Sequence, residues 1–135
     1  MDIIKNPTLT KAKKEHKCDF CGGLIREGEN YMNSTYGYDG IYDWKGHLNC
    51  DYIANKLDMY KQASDCGDEG LTGNMFQEII REEYYTLISD KIKPFINSVS
   101  KDIWETILNE IRKVNFYSQL DLVVRNYKKI DKNTL

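Results

Sequence analysis

The stretch from Cys18 to Cys50 constrains this chain more than any other. Cys18-Asp-Phe-Cys21 is followed by two glycines and, about two dozen residues later, by His47-Leu-Asn-Cys50. Three of the four cysteines and one of the two histidines lie here, in two pairs of the same spacing. Thiolate and imidazole groups in this arrangement match the tetrahedral donor set of a structural zinc ion. Two ligands separated by two residues reach one ion either from a tight turn or from the first turn of a helix. Cys18 and Cys21 read as the turn, because Gly22 and Gly23 let the backbone curl its amides toward the sulfurs. His47 and Cys50, one turn apart at the start of an apolar helical pattern, read as the helical pair. The expected set is therefore Cys18, Cys21, His47 and Cys50 around one structural Zn2+. Reduced cysteines packed as small apolar side chains would not account for paired spacing beside a glycine knuckle. His16 lies too close before Cys18 to span the site and is expected at the surface.

Between the ligand pairs, Asp39-Gly40 is a type I′ hairpin signal flanked by Tyr36, Tyr38, Ile41, Tyr42 and Trp44. A two-residue turn would place Tyr38 opposite Ile41 with Tyr36 on the same side, and Tyr42 and Trp44 on the other face. One face packs on the finger's helix and the other meets solvent or a partner. Knuckle, hairpin and helix with a second ligand pair is the order of a treble-clef zinc finger. The pattern C-x2-C-x3-I-x2-G, realised as Cys18, Cys21, Ile25 and Gly28, with Trp44 and H-x2-C following, resembles the poly(ADP-ribose) polymerase type of finger. The resemblance covers about a quarter of the chain. It implies a zinc-bound fold and, within that family, recognition of DNA breaks.

The whole chain is 135 residues, 41% hydrophobic and 30% charged, which is a soluble globular composition. A net charge of −2 argues against a chain built mainly to grip phosphate. The opening Met-Asp-Ile-Ile-Lys-Asn-Pro has no apolar core of signal-peptide length, and no apolar run is long enough to span a bilayer. With reduced, metal-bound cysteines, these features point to the cytoplasm. Residues 1–17 read as an N-terminal arm, 18–62 as the finger, 63–71 as an acidic linker and 72–130 as a helical unit. The expected class is α+β. Cys66, in the acidic linker, reads as an incidental loop cysteine, since its surroundings disfavour a thiolate.

After His47, the residues Cys50, Ile53, Leu57 and Tyr60 repeat at helical spacing, so one helix is expected to run to about Gln62. Met75, Phe76, Ile79, Ile80, Tyr84, Leu87 and Ile88 form a second stripe, capped by Thr72 or Asn74 and ended near Pro94. Ser100 caps a third helix bearing Ile103, Trp104, Ile107, Leu108, Ile111 and Val114. Ser118 with Asp121 signals the start of a fourth, carrying Leu120, Val123, Val124 and Tyr127, and residues 131–135 are expected to fray. The last three of these helices make up the unit 72–130.

Enzyme signatures are missing. A His-metal finger nuclease needs a histidine base on the hairpin, but residues 31–45 contain none and His47 serves the zinc. There is no H-x-E ahead of the C-x-x-C as zinc deaminases require, no H-E-x-x-H, no nucleophile elbow and no phosphate loop. Glu78, Glu82 and Glu83 read as a solvated helix flank. A non-enzymatic, zinc-stabilised module binding a protein partner through Tyr36, Tyr38, Tyr42 and Trp44 is the leading expectation, with no membrane and no small-molecule substrate. The alternative is nucleic-acid binding, with Lys11, Lys13, Lys14, Lys17 and Lys45 on phosphates. A third class is a small regulatory or inhibitory protein. The richness in Lys, Asn, Ile and Tyr accords with the AT-rich genomes of many phages and mobile elements, where small single-finger proteins occur.

Overall fold

The first strand lies where the sequence marks an arm or extended lead-in. The computed structural model describes the backbone of residues 2–37, 41–66, 71–96 and 100–134, and the side chains of 7–35, 43–63, 71–95 and 100–132. Along the chain come β1 (Asp2–Lys11), β2 (His16–Lys17), β3 (Leu24–Ile25), β4 (Asn30–Gly37) and β5 (Ile41–His47). The helices are α1 (Leu48–Lys56), α2 (Met59–Cys66), α3 (Gly73–Ile96), α4 (Lys101–Arg112) and α5 (Phe116–Thr134). The class is α+β, with small sheets around a Cys/His cluster followed by a helical region. Two compact units, Met1–Gln77 and Glu78–Leu135, meet along the chain within α3. Among the described residues, no helix is long and apolar enough to cross a membrane.

β1 pairs antiparallel with β4, placing Leu9 opposite Met32, Thr10 opposite Tyr31 and Lys11 opposite Asn30, in a sheet of order β1-β4-β5. A lone β4–β5 hairpin would leave the other edge of β4 with unpaired N–H and C=O groups, and β1 satisfies them. Pro7, which has no N–H to donate, falls where the register shifts between Lys5 and Thr8, so the ladder accommodates it. The hairpin register also differs from expectation. Tyr36 pairs with Tyr42 and Gly37 with Ile41, so three residues, 38–40, separate the paired ends instead of two. A one-residue slip exchanges sheet faces, and the division of aromatics expected from a two-residue turn is therefore corrected.

The helix expected to run to Gln62 is two helices. Leu57 caps α1, and Asp58 takes a left-handed φ of 50° before α2 begins. Aspartate tolerates that conformation better than a branched residue would. The Gln62 side chain donates to the freed Leu57 carbonyl at 2.7 Å. The bend accompanies full burial of Met59.

Phe20, Ile25, Ile53, Met59 and Phe76 form the most deeply buried apolar set of the first unit. Phe20 meets Trp44 edge-on at 5.2 Å between ring centroids and Phe76 at 5.0 Å. Gly46, on β5, makes this possible: a Cβ there would lie 2.3 Å from Phe20 Cε2. Gly46→Ala should therefore destabilise the protein by about 1–3 kcal/mol, the usual range for overpacking a core, read as a lowered urea midpoint with unchanged m. A midpoint equal to wild type would refute this packing.

In α3, Thr72 is the cap, its hydroxyl accepting from Met75 N at 3.2 Å. Pro94 lies inside the last described turn of α3, two residues before Ile96. Ser100 caps α4 as expected, accepting from Ile103 N at 3.5 Å. α5 begins earlier than Ser118, because Asn115 caps it by accepting from Tyr117 N at 2.8 Å. Residues 131–134, expected to fray, continue α5. Ile80, Tyr84, Ile111, Phe116, Leu120, Val123 and Val124 are buried in this unit. The Tyr127 hydroxyl donates to the Glu83 carboxylate and ties α5 to α3. Burial first, then that carboxylate, pushes the Tyr127 phenol up to about 12.

Candidate metal centre

Cys18, Cys21, His47 and Cys50 come together, with one donor atom from each lying within 4.8 Å of all the others. The three cysteines are buried, at 0, 5 and 1% exposure. His47 Nδ1 lies 3.4 Å from Cys21 Sγ and 3.8 Å from Cys50 Sγ. A tetrahedral zinc site with bonds of about 2.0–2.3 Å has donor-to-donor edges of roughly 3.3–3.8 Å, so the spacing suits such an ion.

Each side chain is placed by a local device. β2 and β3 form a short ladder, His16 opposite Ile25 and Lys17 opposite Leu24, that delivers Cys18 and Cys21 on the turn between them. Cys18 N donates to Gly23 O and Gly22 N to Cys18 O, both at 2.8 Å, closing the knuckle. Gly22 sits at φ +77°, a conformation that glycine adopts without strain. Gly23 N points at Cys21 Sγ at 3.4 Å, as expected from the glycine pair. Asp19 fastens the knuckle to β5: its N–H donates to Lys45 O at 2.7 Å and its carboxylate accepts from Lys45 N at 2.8 Å. Burial raises the Asp19 carboxyl above its usual range, partly offset by the Lys45 N–H.

His47 is the last residue of β5 and the N-cap position of α1, at φ −54° and ψ 149°, rather than a residue of the helix. Its ring makes no capping bond because Nδ1 faces the sulfurs. Its backbone N–H points at Cys18 Sγ at 3.4 Å. Nε2 meets Leu24 O at 2.7 Å, and since a carbonyl only accepts, the proton sits on Nε2 and Nδ1 is left for a metal. Glu29 Oε2 lies 3.7 Å from the same Nε2. Glu29 is placed by a turn in which Gly28 adopts φ +86° and donates to Ala12 O at 2.8 Å. Leu24 and Glu29 were not foreseen from the sequence. A backbone carbonyl has no residue signature, and Glu29 lies outside the ligand spacing.

The ligand side chains interact with one another directly. Hydrogen bonds from Cys21 and then Cys50 hold Cys18 far below the usual thiol range, as a thiolate. Those same contacts with Cys18 and Cys21 push the Cys50 thiol up. Hydrogen bonding to Cys18 and then Cys21 raises His47 to about 11, against the opposing effect of burial. Cys50 and His47 therefore hold protons at neutral pH that a metal must displace, whereas Cys18 does not. Acid favours the proton and base favours the metal. Apparent zinc affinity should therefore rise with pH between roughly pH 6 and pH 8, in chelator competition. A flat profile would contradict this proton inventory.

The other candidate residues fall elsewhere. His16 is half-buried against Tyr31, ring centroids 5.5 Å apart, rather than out on the surface, and takes no part in the cluster. Lys11, Lys13, Lys14 and Lys17 are exposed. Lys45 is 25% exposed, with its ammonium 3.9 Å from the Asp43 carboxylate. Trp44 is half-buried against Phe20. Tyr36 and Tyr42 lie on β4 and β5 with side chains outside the described residues, and Tyr38 lies outside them altogether. Cys66 ends α2, and its side chain is likewise outside. Compared with known protein families, curated proteins and solved structures, the chain matches none of them, so the functional reading rests on the centre itself.

Proposed function

We propose that this chain is a non-enzymatic interaction module in which one structural zinc ion, held by Cys18, Cys21, His47 and Cys50, fixes a treble-clef-type finger that binds a protein partner. The observation that carries this reading is the set of three buried cysteines and one half-buried histidine whose donor atoms lie within 4.8 Å of one another. Four protein ligands fill a tetrahedral site and leave no position for substrate, which favours a structural ion. Zinc, when bound, supplies bonds joining the knuckle to the β5–α1 junction, where apolar burial alone is small. The chain's own groups orient the ligands: Gly23 and His47 amides on sulfur, and the Leu24 carbonyl on the imidazole.

The surroundings of the centre favour a protein partner. Leu24, whose carbonyl holds His47, is 50% exposed, and Leu48, the residue after His47, is 42% exposed. Apolar side chains beside a rigid staple are suited to burial by another protein. Nucleic-acid binding is the second reading, favoured by the four exposed lysines at 11, 13, 14 and 17. A small regulatory or inhibitory role fits either surface.

The two are separated by fluorescence-anisotropy titration of the zinc-loaded chain with single- and double-stranded DNA and RNA at low and physiological salt. The protein-partner reading expects no binding at physiological salt. Binding that survives there, and is lost when Lys11, Lys13, Lys14 and Lys17 are reversed to glutamate, would replace it.

A further inference from the structure

We propose that the helical unit carries a binding pocket for a small oxyanion-bearing molecule, with Arg81 and Arg112 on the anion and the Gln119 carbonyl on a hydrogen-bond donor of the same molecule. This site is independent of the metal centre and of the partner reading above. It lies in a cavity of about 210 Å3 where Tyr84, Tyr85 and Ile111 stand beside the two arginines and Gln119. A second cavity of about 480 Å3 adds Glu82 and Thr86, and the two share the residues Arg81, Tyr85 and Arg112. At about 30 Å3 per water, the inner space equals about seven waters, enough for a small polar head group.

Three observations point to a ligand. Gln119 is only 4% exposed, and its Nε2 donates to Val114 O at 2.8 Å, which fixes the amide orientation. Its Oε1 is thereby turned away from Val114, buried, and receives no hydrogen bond from the protein. Buried acceptors without a donor are rare because they lose hydration without replacement, and Gln119 is among the residues around the cavity. The arginines add the second element. Arg81 Cζ lies 5.5 Å from the Phe116 ring centroid, and Arg112 Cζ lies 5.1 Å from that of Tyr85. Stacking on a ring orients a guanidinium while leaving in-plane N–H groups for an oxyanion. Third, among the described residues neither guanidinium has a carboxylate at ion-pair distance; Arg112 Nη1 donates to Asn109 Oδ1 at 3.4 Å. Glu82 on the outer cavity opposes a second anionic group there.

Phosphate esters and carboxylates share this chemistry, and the experiment separates them. The full, zinc-loaded chain is titrated by NMR with AMP, L-aspartate and inorganic phosphate, following the Gln119 side-chain amide and the Nε–H signals of Arg81 and Arg112. Saturable shifts with AMP identify a phosphate-ester site, and with L-aspartate a carboxylate site. Either should bind at least about tenfold tighter than inorganic phosphate, which carries no second group to reach Gln119 beyond the oxyanion that the arginines hold. Arg81→Gln and Arg112→Gln should each weaken binding about tenfold or more, as expected for loss of a charge-assisted pair. Arg112→Lys keeps the charge and stem but loses the fork, and should weaken binding even if the glutamine variants fold poorly. No saturable shift at about 10 mM of any probe, tenfold above a millimolar Kd, would overturn the proposal. So would shifts that persist in a folded Arg81→Gln/Arg112→Gln double variant.

Discussion

Cys50→Ser is expected to abolish stoichiometric zinc binding and to unfold the unit that surrounds the centre. Cys50 is 1% exposed, lies in the first turn of α1, and is the ligand that joins this helix to the knuckle. A serine hydroxyl does not ionise near neutral pH and offers no thiolate to the metal. Structural zinc sites contribute about 10–16 kcal/mol of apparent binding free energy, which is comparable to or larger than the whole stability of a small domain. Losing one ligand therefore removes several orders of magnitude in affinity and, with it, the folded state of the finger. The measurement is zinc content by mass spectrometry alongside amide-signal dispersion for residues 7–63. A folded, zinc-loaded Cys50→Ser chain would sink the assignment of the centre. Cys66→Ser is the control, expected to leave zinc content and dispersion unchanged.

Phe20→Ala is expected to destabilise the zinc-loaded protein by about 3–5 kcal/mol, the range for truncating a buried phenylalanine. Phe20 is 1% exposed and stands between the first two ligands in sequence. Its ring is held by Trp44 and Phe76 and lies over the space that Gly46 leaves open. The alanine variant would open a cavity against Trp44 and Phe76, so its loss should appear as a lowered urea midpoint with zinc binding retained. Phe20→Leu should lose less, because it refills part of the volume. A loss below about 1 kcal/mol for Phe20→Ala would mean that this ring is not part of the core.

The sequence by itself determined features set by neighbours a few residues apart. The spacing of Cys18 with Cys21 and of His47 with Cys50, beside Gly22 and Gly23, is enough to single out a metal-suited set. The periods that mark α3, α4 and α5, and the caps Thr72 and Ser100, are equally local, since capping and helical stripes act within one or two turns. Glycine at 28 could be marked as part of a motif, although its reason, a φ of +86° in the turn that positions Glu29, is visible only in three dimensions.

Tertiary structure decided what depends on distant partners. Asp2–Lys11, with Lys5, Asn6 and Pro7 in it, has no strand pattern of its own and is a strand because β4 offers an edge. The Tyr36–Tyr42 register overrides the two-residue turn signal at Asp39-Gly40, since ladder pairing along two whole strands can outweigh the preference of a single turn. Asp58 breaks a continuous helical stripe, and Met59 beyond the bend is fully buried. The Leu24 carbonyl that orients His47, and the meeting of Arg81 with Arg112 and Gln119, join residues 23 to 38 positions apart along the chain. Local spacing carries no information on such pairs, because they form only when separate elements pack.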